Sequence, residues 1–241
     1  MIVNQTENGW EVIYHRAHAL LAAQIAAQWN RKNTPDRLIE TVAAISHHDD
    51  LEKEWTEKNI TPAGAPLDFT LDKDTDLPKL KKHIENSRYR GRWVAMLTSM
   101  HTSFLNEGKR GESAELDSFL DEQLQMQEQY INQLQISKQE AEQAYAYFQW
   151  CDRLSLILCQ HDLPVDQRAL EISTGPDGKR YDVILIADGV KVVPWPFEQD
   201  KFTVNVEASY LSQLQFDSSA ALTEALQTAP IETLEWTFIK D

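Results

Sequence analysis

Histidine and aspartate side chains recur at the inward positions of predicted helices in this sequence of 241 residues. His18 continues an apolar stripe at helical spacing, and His48 and Asp49 end a second stripe. His101 and Asp152 lie on the inner stripes of two later helices. Because burying one unpaired polar group costs roughly 2 to 7 kcal/mol, these residues require a shared partner. The pattern predicts a metal ion held between the helices.

The ligand types indicate which metals such a site would take. Mixed imidazole and carboxylate ligands suit Mn, Fe, Co, Ni or Zn better than Mg or Ca, and the sequence leaves one or two ions open. A bound ion of this kind lowers the pKa of a water molecule toward ~7 and neutralises charge on phosphoryl oxygens. Asp49, which would reach both metal and water, is the candidate catalytic residue that orients the nucleophile. A shift of one residue in helical phase would bring His47 and Asp50 to these positions instead.

A basic segment departs from the acidic background of the chain. Residues 79–92 contain six bases and a single acid, Glu85. Arginine is well shaped for phosphate, so this segment could hold an anionic substrate if it overhangs the metal. The alternative is an ordinary solvated surface that offsets nearby acids. The candidate substrate-binding residues are Arg16, Arg88, Arg92 and Arg153.

The elements that must position these residues are mostly helical before Pro164, because no proline falls between Pro78 and Pro164. A short hairpin precedes the first helix, and the loosely patterned residues 51–86 predict an ordered excursion over a site, or a lid. The second helix is predicted to begin with Thr34 as N-cap, and the fifth with a capping box at Ser137. The five helices are predicted at about residues 14–30, 36–50, 88–104, 114–134 and 138–160.

After Pro164 the sequence changes to alternating, β-branched segments separated by turns. These predict a small antiparallel sheet with one helix near residues 219–227. The predicted fold is therefore α+β, with a mainly helical metal-binding domain at residues 1–163 and a β-rich subdomain at 164–241 packed on it. The predicted strands are 181–187, 190–193, 202–207 and 234–239.

Composition narrows the classes of partner and the compartment. The formal net charge of −15 opposes binding to nucleic acid polymers or anionic membranes. No early apolar run predicts a signal peptide or a membrane span. The two cysteines, Cys151 and Cys159, favour a reduced, cytoplasmic setting. Neither the glycine-rich dinucleotide motif nor the P-loop motif occurs.

The order His18, then His48-Asp49, then Asp152 resembles the H…HD…D signature of the HD-domain superfamily of metal-dependent phosphohydrolases. The segment 16–22 is similar to that family's opening helix, and the segment 152–155 to its closing helix. The resemblance covers residues 14–162 and implies a helical bundle that holds one metal. Members with two metals insert two more histidines, for which His83 and His101 are the candidates. A smaller, functionally uncharacterised family with this region and a β-rich tail is also suspected.

The sequence and this resemblance together predict a metal-dependent hydrolase of the HD type that acts on a small phosphate ester or nucleotide. Its partner would be a small anionic molecule. Enzymatic activity stays open because two alternatives remain: a non-catalytic metal- or ligand-binding regulatory module, and a di-iron HD-like oxygenase. The substrate, the metal and the oligomeric state, including a homo-oligomer, are left open.

Overall fold

The computed structural model of the protein describes residues 1–50, 54–55, 58–72 and 74–240. Within them, two strands come first, β1 (Ile2–Thr6) and β2 (Gly9–Ile13). Six helices follow and form the helical half of the molecule. They are α1 (His15–Ala27), α2 (Leu38–His47), α3 (Leu77–Ser87), α4 (Arg92–Glu107), α5 (Ala114–Leu134) and α6 (Lys138–Cys159).

The remaining elements complete one mixed sheet of seven strands. Its order is β1-β2-β6-β7-β5-β4-β3, and all neighbours pair antiparallel except β5 and β7, which are parallel. The α+β class is therefore confirmed, whereas the expected small antiparallel tail is wrong. The later elements are β3 (Ala169–Thr174), β4 (Arg180–Ile186), β5 (Gly189–Val193), β6 (Lys201–Leu211), α7 (Ser219–Thr228) and β7 (Ile231–Ile239).

The predicted N-terminal hairpin is confirmed, and it extends the sheet formed by the C-terminal strands. Trp10 of β2 pairs with Leu211 of β6. Gly9 has φ +145°, and a Cβ there would lie 1.8 Å from the carbonyl oxygen of Leu211. Only glycine fits this close approach, so its lack of a side chain allows β2 to pair with β6. The division at residues 163 and 164 stays a prediction.

The first turns of the long helices follow local sequence signals. The Ser137 hydroxyl accepts a hydrogen bond from the Glu140 backbone N–H at 3.1 Å, and the Glu140 carboxylate accepts one from the Ser137 N–H at 2.7 Å. This capping box begins α6 as predicted. The predicted start of α2 at Thr34 is wrong, because the Thr34 hydroxyl instead donates to the Arg31 carbonyl and closes a short 3₁₀ helix.

The expected lid over residues 51–86 lies partly outside the described residues. Its described part contains a 3₁₀ turn, Phe69–Leu71, and helix α3, which the sequence analysis missed. Asp76 caps α3 by accepting a hydrogen bond from Lys79 N–H at 2.9 Å. The Asp68 carboxylate accepts a hydrogen bond from Val3 N–H at 2.8 Å. The segment is thus attached to β1.

An aromatic core joins the helical half to the sheet. Trp29, at the end of α1, lies edge-on against Trp150 of α6 with ring centroids 4.6 Å apart. Tyr147 of α6 donates a hydrogen bond to the Ala26 carbonyl at 2.5 Å. Beyond them, Phe197 contacts both Trp29 and Phe238 of β7. Because this core fixes α1 against α6, it also fixes the spacing of side chains further along the two helices.

Two observations bear on the environment of the protein. Cys151 and Cys159 are buried free thiols, and burial raises the pKa of the Cys151 thiol well above its usual value. Among the helices that the structure describes, none has the length and apolar character needed to cross a bilayer. The cytoplasmic location stays a prediction.

Candidate metal centre

Four side chains from α1, the end of α2 and α6 converge on one small volume. The Nε2 atom of His18 lies 3.2 Å from Oδ2 of Asp49 and 3.7 Å from Oδ1 of Asp152. The Nε2 atom of His48 lies 3.4 Å from the same Asp49 oxygen and 3.1 Å from the same Asp152 oxygen. The structure therefore brings together four residues that the sequence proposes as metal ligands.

These separations match the spacing of ligands around one transition-metal ion. Protein nitrogen and oxygen ligands lie about 2.1 Å from such an ion. Two ligands at that distance are about 3.4 Å apart at a tetrahedral angle and about 3.0 Å apart at a right angle. The four measured nitrogen–oxygen distances, from 3.1 to 3.7 Å, fall close to these values. The group could hold a metal ion.

Burial without hydrogen bonds supports the same interpretation. Within the part of the chain that the structure describes, neither ring nitrogen of His18 makes a hydrogen bond although both are buried, and the buried Oδ1 of Asp152 faces the Nε2 atoms of His18 and His48. Such groups are normally satisfied in folded proteins because leaving them unpaired costs about 1 to 3 kcal/mol each. An ion bound between the carboxylates and the histidines would satisfy His18 Nε2 and Asp152 Oδ1 together.

The orientation of His48 is set by the backbone of its own helix. Its Nδ1 atom lies 2.6 Å from the carbonyl oxygen of Ile45, so Nδ1 carries the proton and Nε2 faces the carboxylates. A hydrogen bond of this kind fixes the tautomer of many metal-binding histidines. Burial lowers the pKa of His48, but attraction by Asp49 and Asp152 outweighs it and raises the pKa to about 10.

The two neighbouring histidines show the opposite shift. Burial and the positive charge on His48 lower the pKa of His18 to about 3. Burial lowers the pKa of His101 to about 3 as well. Burial would raise the pKa of Asp152, but the charge and hydrogen bond of His48 outweigh it and hold the pKa well below its usual range. At neutral pH, His18 and His101 therefore have the uncharged imidazole that metal binding requires.

His101 belongs to a second group that shares two members with the first. His48, His101 and Asp152 each offer one ligand atom, and these atoms lie within 4.8 Å of one another. The ring of His101 is 5.0 Å from that of His48, and its Nδ1 lies 3.4 Å from the Tyr145 hydroxyl. The structure thus places all five predicted ligands together, with His101 to one side of the four-atom group.

The group opens into a cavity of about 300 Å³. Glu54, which the sequence analysis did not propose as a site residue, lies on its wall together with His15. The Glu54 carboxylate accepts a hydrogen bond from the His15 backbone N–H at 2.9 Å. His15 is three residues before His18, so helical spacing was a usable signal for it. Glu54 lies in a segment without a sustained hydrophobic period, so the sequence carried no comparable signal for it.

The four arginines proposed for substrate binding are not brought to this cavity. Among the described residues of its wall there is no arginine. Arg88 donates a hydrogen bond to the Tyr130 hydroxyl at 2.8 Å, and Arg92 is 3.5 Å from the Gln133 side chain. Arg16 donates to the backbone oxygen of Asp50, and Arg153 is half-buried on α6. Five of the six bases in the basic segment are exposed: Lys81, Lys82, Arg88, Arg90 and Arg92.

His47 and Asp50, which flank His48 and Asp49, belong to a separate cluster. His47 contacts the Asp50 carboxylate, which also accepts a hydrogen bond from Arg90 at 3.0 Å. His83, the other candidate for a second metal, is buried against His47 with ring centroids 5.2 Å apart. The helical phase that points His48 and Asp49 toward His18 is the one observed.

The fold and the site define an α+β protein with an internal His/Asp group that could hold a metal ion. The chain belongs to the DUF3891 family, described as a protein of unknown function, whose family model matches residues 1–213. A search of curated proteins and a search of solved structures each gave no match.

Membership in the HD-domain superfamily is therefore a wrong expectation. The matching family is DUF3891, and no HD-domain match was found. The helices also pack on a seven-stranded mixed sheet that includes the N-terminal hairpin, which differs from the expected all-helical bundle. Four residues that satisfy an H…HD…D order are thus compatible with a different architecture.

Proposed function

We propose that this protein is a metal-dependent hydrolase of a small phosphate ester. The convergence of His18, His48, Asp49 and Asp152 at ligand spacing is the observation that carries the proposal. A divalent transition metal bound there would acidify a water molecule and neutralise charge on the phosphoryl oxygens. Structural metal sites are closed, whereas this group borders a cavity of about 300 Å³, as a catalytic site requires.

The exposure of the ligands supports distinct roles for the two aspartates. The Asp49 side chain is 22% exposed, against 11% for Asp152 and 2% for His18. Asp49 is thus the more exposed of the two ligand carboxylates on the cavity wall, and it would orient the attacking water. Asp152 and the two histidines are enclosed and would serve as ligands.

The overall reaction consumes one water molecule. The water oxygen forms a new bond to phosphorus, the bond from phosphorus to the alcohol oxygen breaks, and the alcohol oxygen takes up a proton. Glu54, a second carboxylate on the cavity wall, is the candidate to accept the proton from water and deliver it to the alcohol. Its hydrogen bond from His15 N–H holds it in place.

The charge of the protein restricts the substrate. The net charge of −15 opposes the approach of long polyanions. Only a local cation inside the cavity would offset this field for a phosphate group. A small phosphate ester, including a nucleotide, satisfies both the charge and the cavity size.

The test measures metal content and hydrolysis in the same preparations. Purified protein would be analysed for bound transition metal and assayed with p-nitrophenyl phosphate, bis(p-nitrophenyl) phosphate and nucleoside monophosphates. Asp152→Asn is expected to lose metal and activity, and Asp49→Asn to lower kcat at least ~100-fold. Asp50→Asn is the matched control, because Asp50 contacts His47 and Arg90 instead of the ligand group. Metal binding without turnover of any ester would reject the hydrolase and favour a metal-binding module.

A further inference from the structure

A second chamber adjoins the metal cavity. Its volume is about 540 Å³, and it shares Lys58, Leu67, Asp72 and Asp74 with the wall of the first. The two volumes are therefore adjacent, and the second reaches the first turn of α3. A substrate larger than a minimal phosphate ester would extend into this second part.

Lysine side chains from three parts of the chain line this chamber. Lys58 lies in the loop before Phe69, Lys79 is in the first turn of α3, and Lys109 follows α4. The Lys109 ammonium donates a hydrogen bond to the Thr75 hydroxyl at 2.7 Å, which orients it along the wall. Positively charged side chains from three parts of the chain thus line the same chamber.

The charge of the chamber differs from that of the metal cavity. Among the described residues, three lysines and three aspartates line the chamber, whereas one lysine and five carboxylates line the metal cavity. Two of the chamber's aspartates are engaged locally: Asp76 caps α3, and Asp72 accepts a hydrogen bond from Asp74 N–H at 3.2 Å. In a protein of net charge −15, this chamber offers an anion a much less repulsive environment.

Lys58 lies at the junction of the two volumes. It is exposed, and among the residues that the structure describes it has no hydrogen-bond or ion-pair partner. An ammonium group held over a cleft without a carboxylate partner can bind an incoming anion without first breaking an ion pair. It is also the one lysine or arginine among the described residues of the metal cavity wall.

We infer that the substrate carries a second anionic group, which Lys58 and Lys109 bind in the adjoining chamber while the first phosphate lies at the ligand group. This inference rests on the function proposed above and narrows its substrate class to bis-anionic phosphate esters. Lys58 and Lys109 are then specificity-determining residues at a distance from the reacting phosphorus.

The test compares matched substrates with one and two anionic ends. Alkane-α,ω-diol bisphosphates of two to eight carbons would be assayed beside the alkyl monophosphates of equal length. At the best length, kcat/KM for the bisphosphate is expected to exceed that for the monophosphate at least 10-fold. Lys109→Met should raise KM for the bisphosphate and remove this preference. Lys138→Met, on the exposed start of α6, is the matched control.

Binding of bisphosphonates, which resist hydrolysis, supplies a readout that does not depend on turnover. Isothermal titration should show hexane-1,6-bisphosphonate binding at least 10-fold more tightly than hexylphosphonate, and Lys58→Met and Lys109→Met should each reduce this ratio. Equal binding of the two probes, or a ratio unchanged in both variants, would overturn the inference. Failure to hydrolyse any ester would instead reject the proposed function, so the two failures are distinguishable.

Discussion

Glu11 of β2 and His161, just beyond α6, form an ion pair with Oε1 and Nε2 2.7 Å apart. The same carboxylate accepts hydrogen bonds from Asn4 at 2.9 Å and from the Tyr210 hydroxyl at 2.7 Å. Burial raises the pKa of Glu11, but these hydrogen bonds outweigh it and lower the pKa. The hydrogen bond with Glu11 raises the pKa of His161. Together with its hydrogen bonds, this charge pair therefore links the end of the helical half to three strands, β1, β2 and β6.

This pair predicts a window of pH in which it stabilises the fold. The lowered pKa of Glu11 gives stability that is present above its usual value of 4.5 and lost as pH falls through the folded pKa. The raised pKa of His161 gives stability that is present below 6.5 and lost as pH rises through the folded pKa. The free energy of unfolding of the wild type should therefore exceed that of Glu11→Gln most between pH 4.5 and 6.5.

Urea denaturation at half-unit steps of pH would measure this difference. Because the His161 side chain is 49% exposed, the pH-dependent part should be about 1 kcal/mol or less. Glu40→Gln, on the exposed side of α2, serves as the control and should leave the profile unchanged. A wild-type advantage that is constant from pH 4 to pH 9 would contradict the ion pair.

Metal removal should lower the thermal stability of the protein. An ion present at 100 times its dissociation constant contributes about 2.7 kcal/mol, which corresponds to about 5 to 10 °C in Tm for a chain of this size. Differential scanning calorimetry with added Mn²⁺ or Zn²⁺, and then with a chelator, would measure the change. Asp152→Asn should show no metal-dependent shift, and Asp50→Asn should keep it. Equal shifts in both variants would place the ion elsewhere.

Gly9 should tolerate no side chain. A Cβ at this position would lie 1.8 Å from the Leu211 carbonyl oxygen, so Gly9→Ala must displace β2 from β6. We expect a loss of more than about 3 kcal/mol in the free energy of unfolding. Gly178→Ala is the control, because Gly178 also has a positive φ but has no heavy atom within 4 Å of its Cβ position. It should cost about 1 kcal/mol, and similar losses for both would disprove the steric argument.

Arg88 should affect stability more than hydrolysis. The structure places its guanidinium against Tyr130, so Arg88→Met removes a hydrogen bond worth about 1 kcal/mol. The values of kcat and KM for any hydrolysed phosphate ester should stay within 2-fold of the wild type. Chemical denaturation and steady-state kinetics on the same preparation test both statements. A tenfold rise in KM at unchanged kcat would instead restore Arg88 as a substrate-binding residue.

The sequence was most informative where a local signal and a buried face agree. The capping box at Ser137 fixed the start of α6, and the apolar stripe on that helix placed Asp152 inward. His18 followed from the same periodicity on α1. These predictions depend on spacing along a single helix, which a sequence carries directly.

Other parts of the site depend on tertiary contacts that spacing does not encode. Helix α3 was missed because residues 51–86 show no sustained hydrophobic period. Pro78 occupies the first turn of this helix, where proline is tolerated. The phase of that helix buries His83 and Ile84 and leaves Lys81 and Lys82 exposed. Lys81 and Lys82 therefore resembled site residues in the sequence although they lie on the solvent side, whereas Lys79 of the same segment lines the second chamber.

Tyr14 alone separates the last residue of β2 from the first residue of α1, and its carbonyl oxygen accepts a hydrogen bond from His18 N–H at 3.1 Å. The direction of the helix that carries His18 is thus tied to the pairing of β2 with β6. If metal binding favours this direction of α1, then by thermodynamic reciprocity the bound ion also stabilises the pairing of β2 with β6 against opening. Amide hydrogen exchange along β2 should slow on metal addition, so the exchange rate in the sheet would show whether the metal site between the helices is occupied.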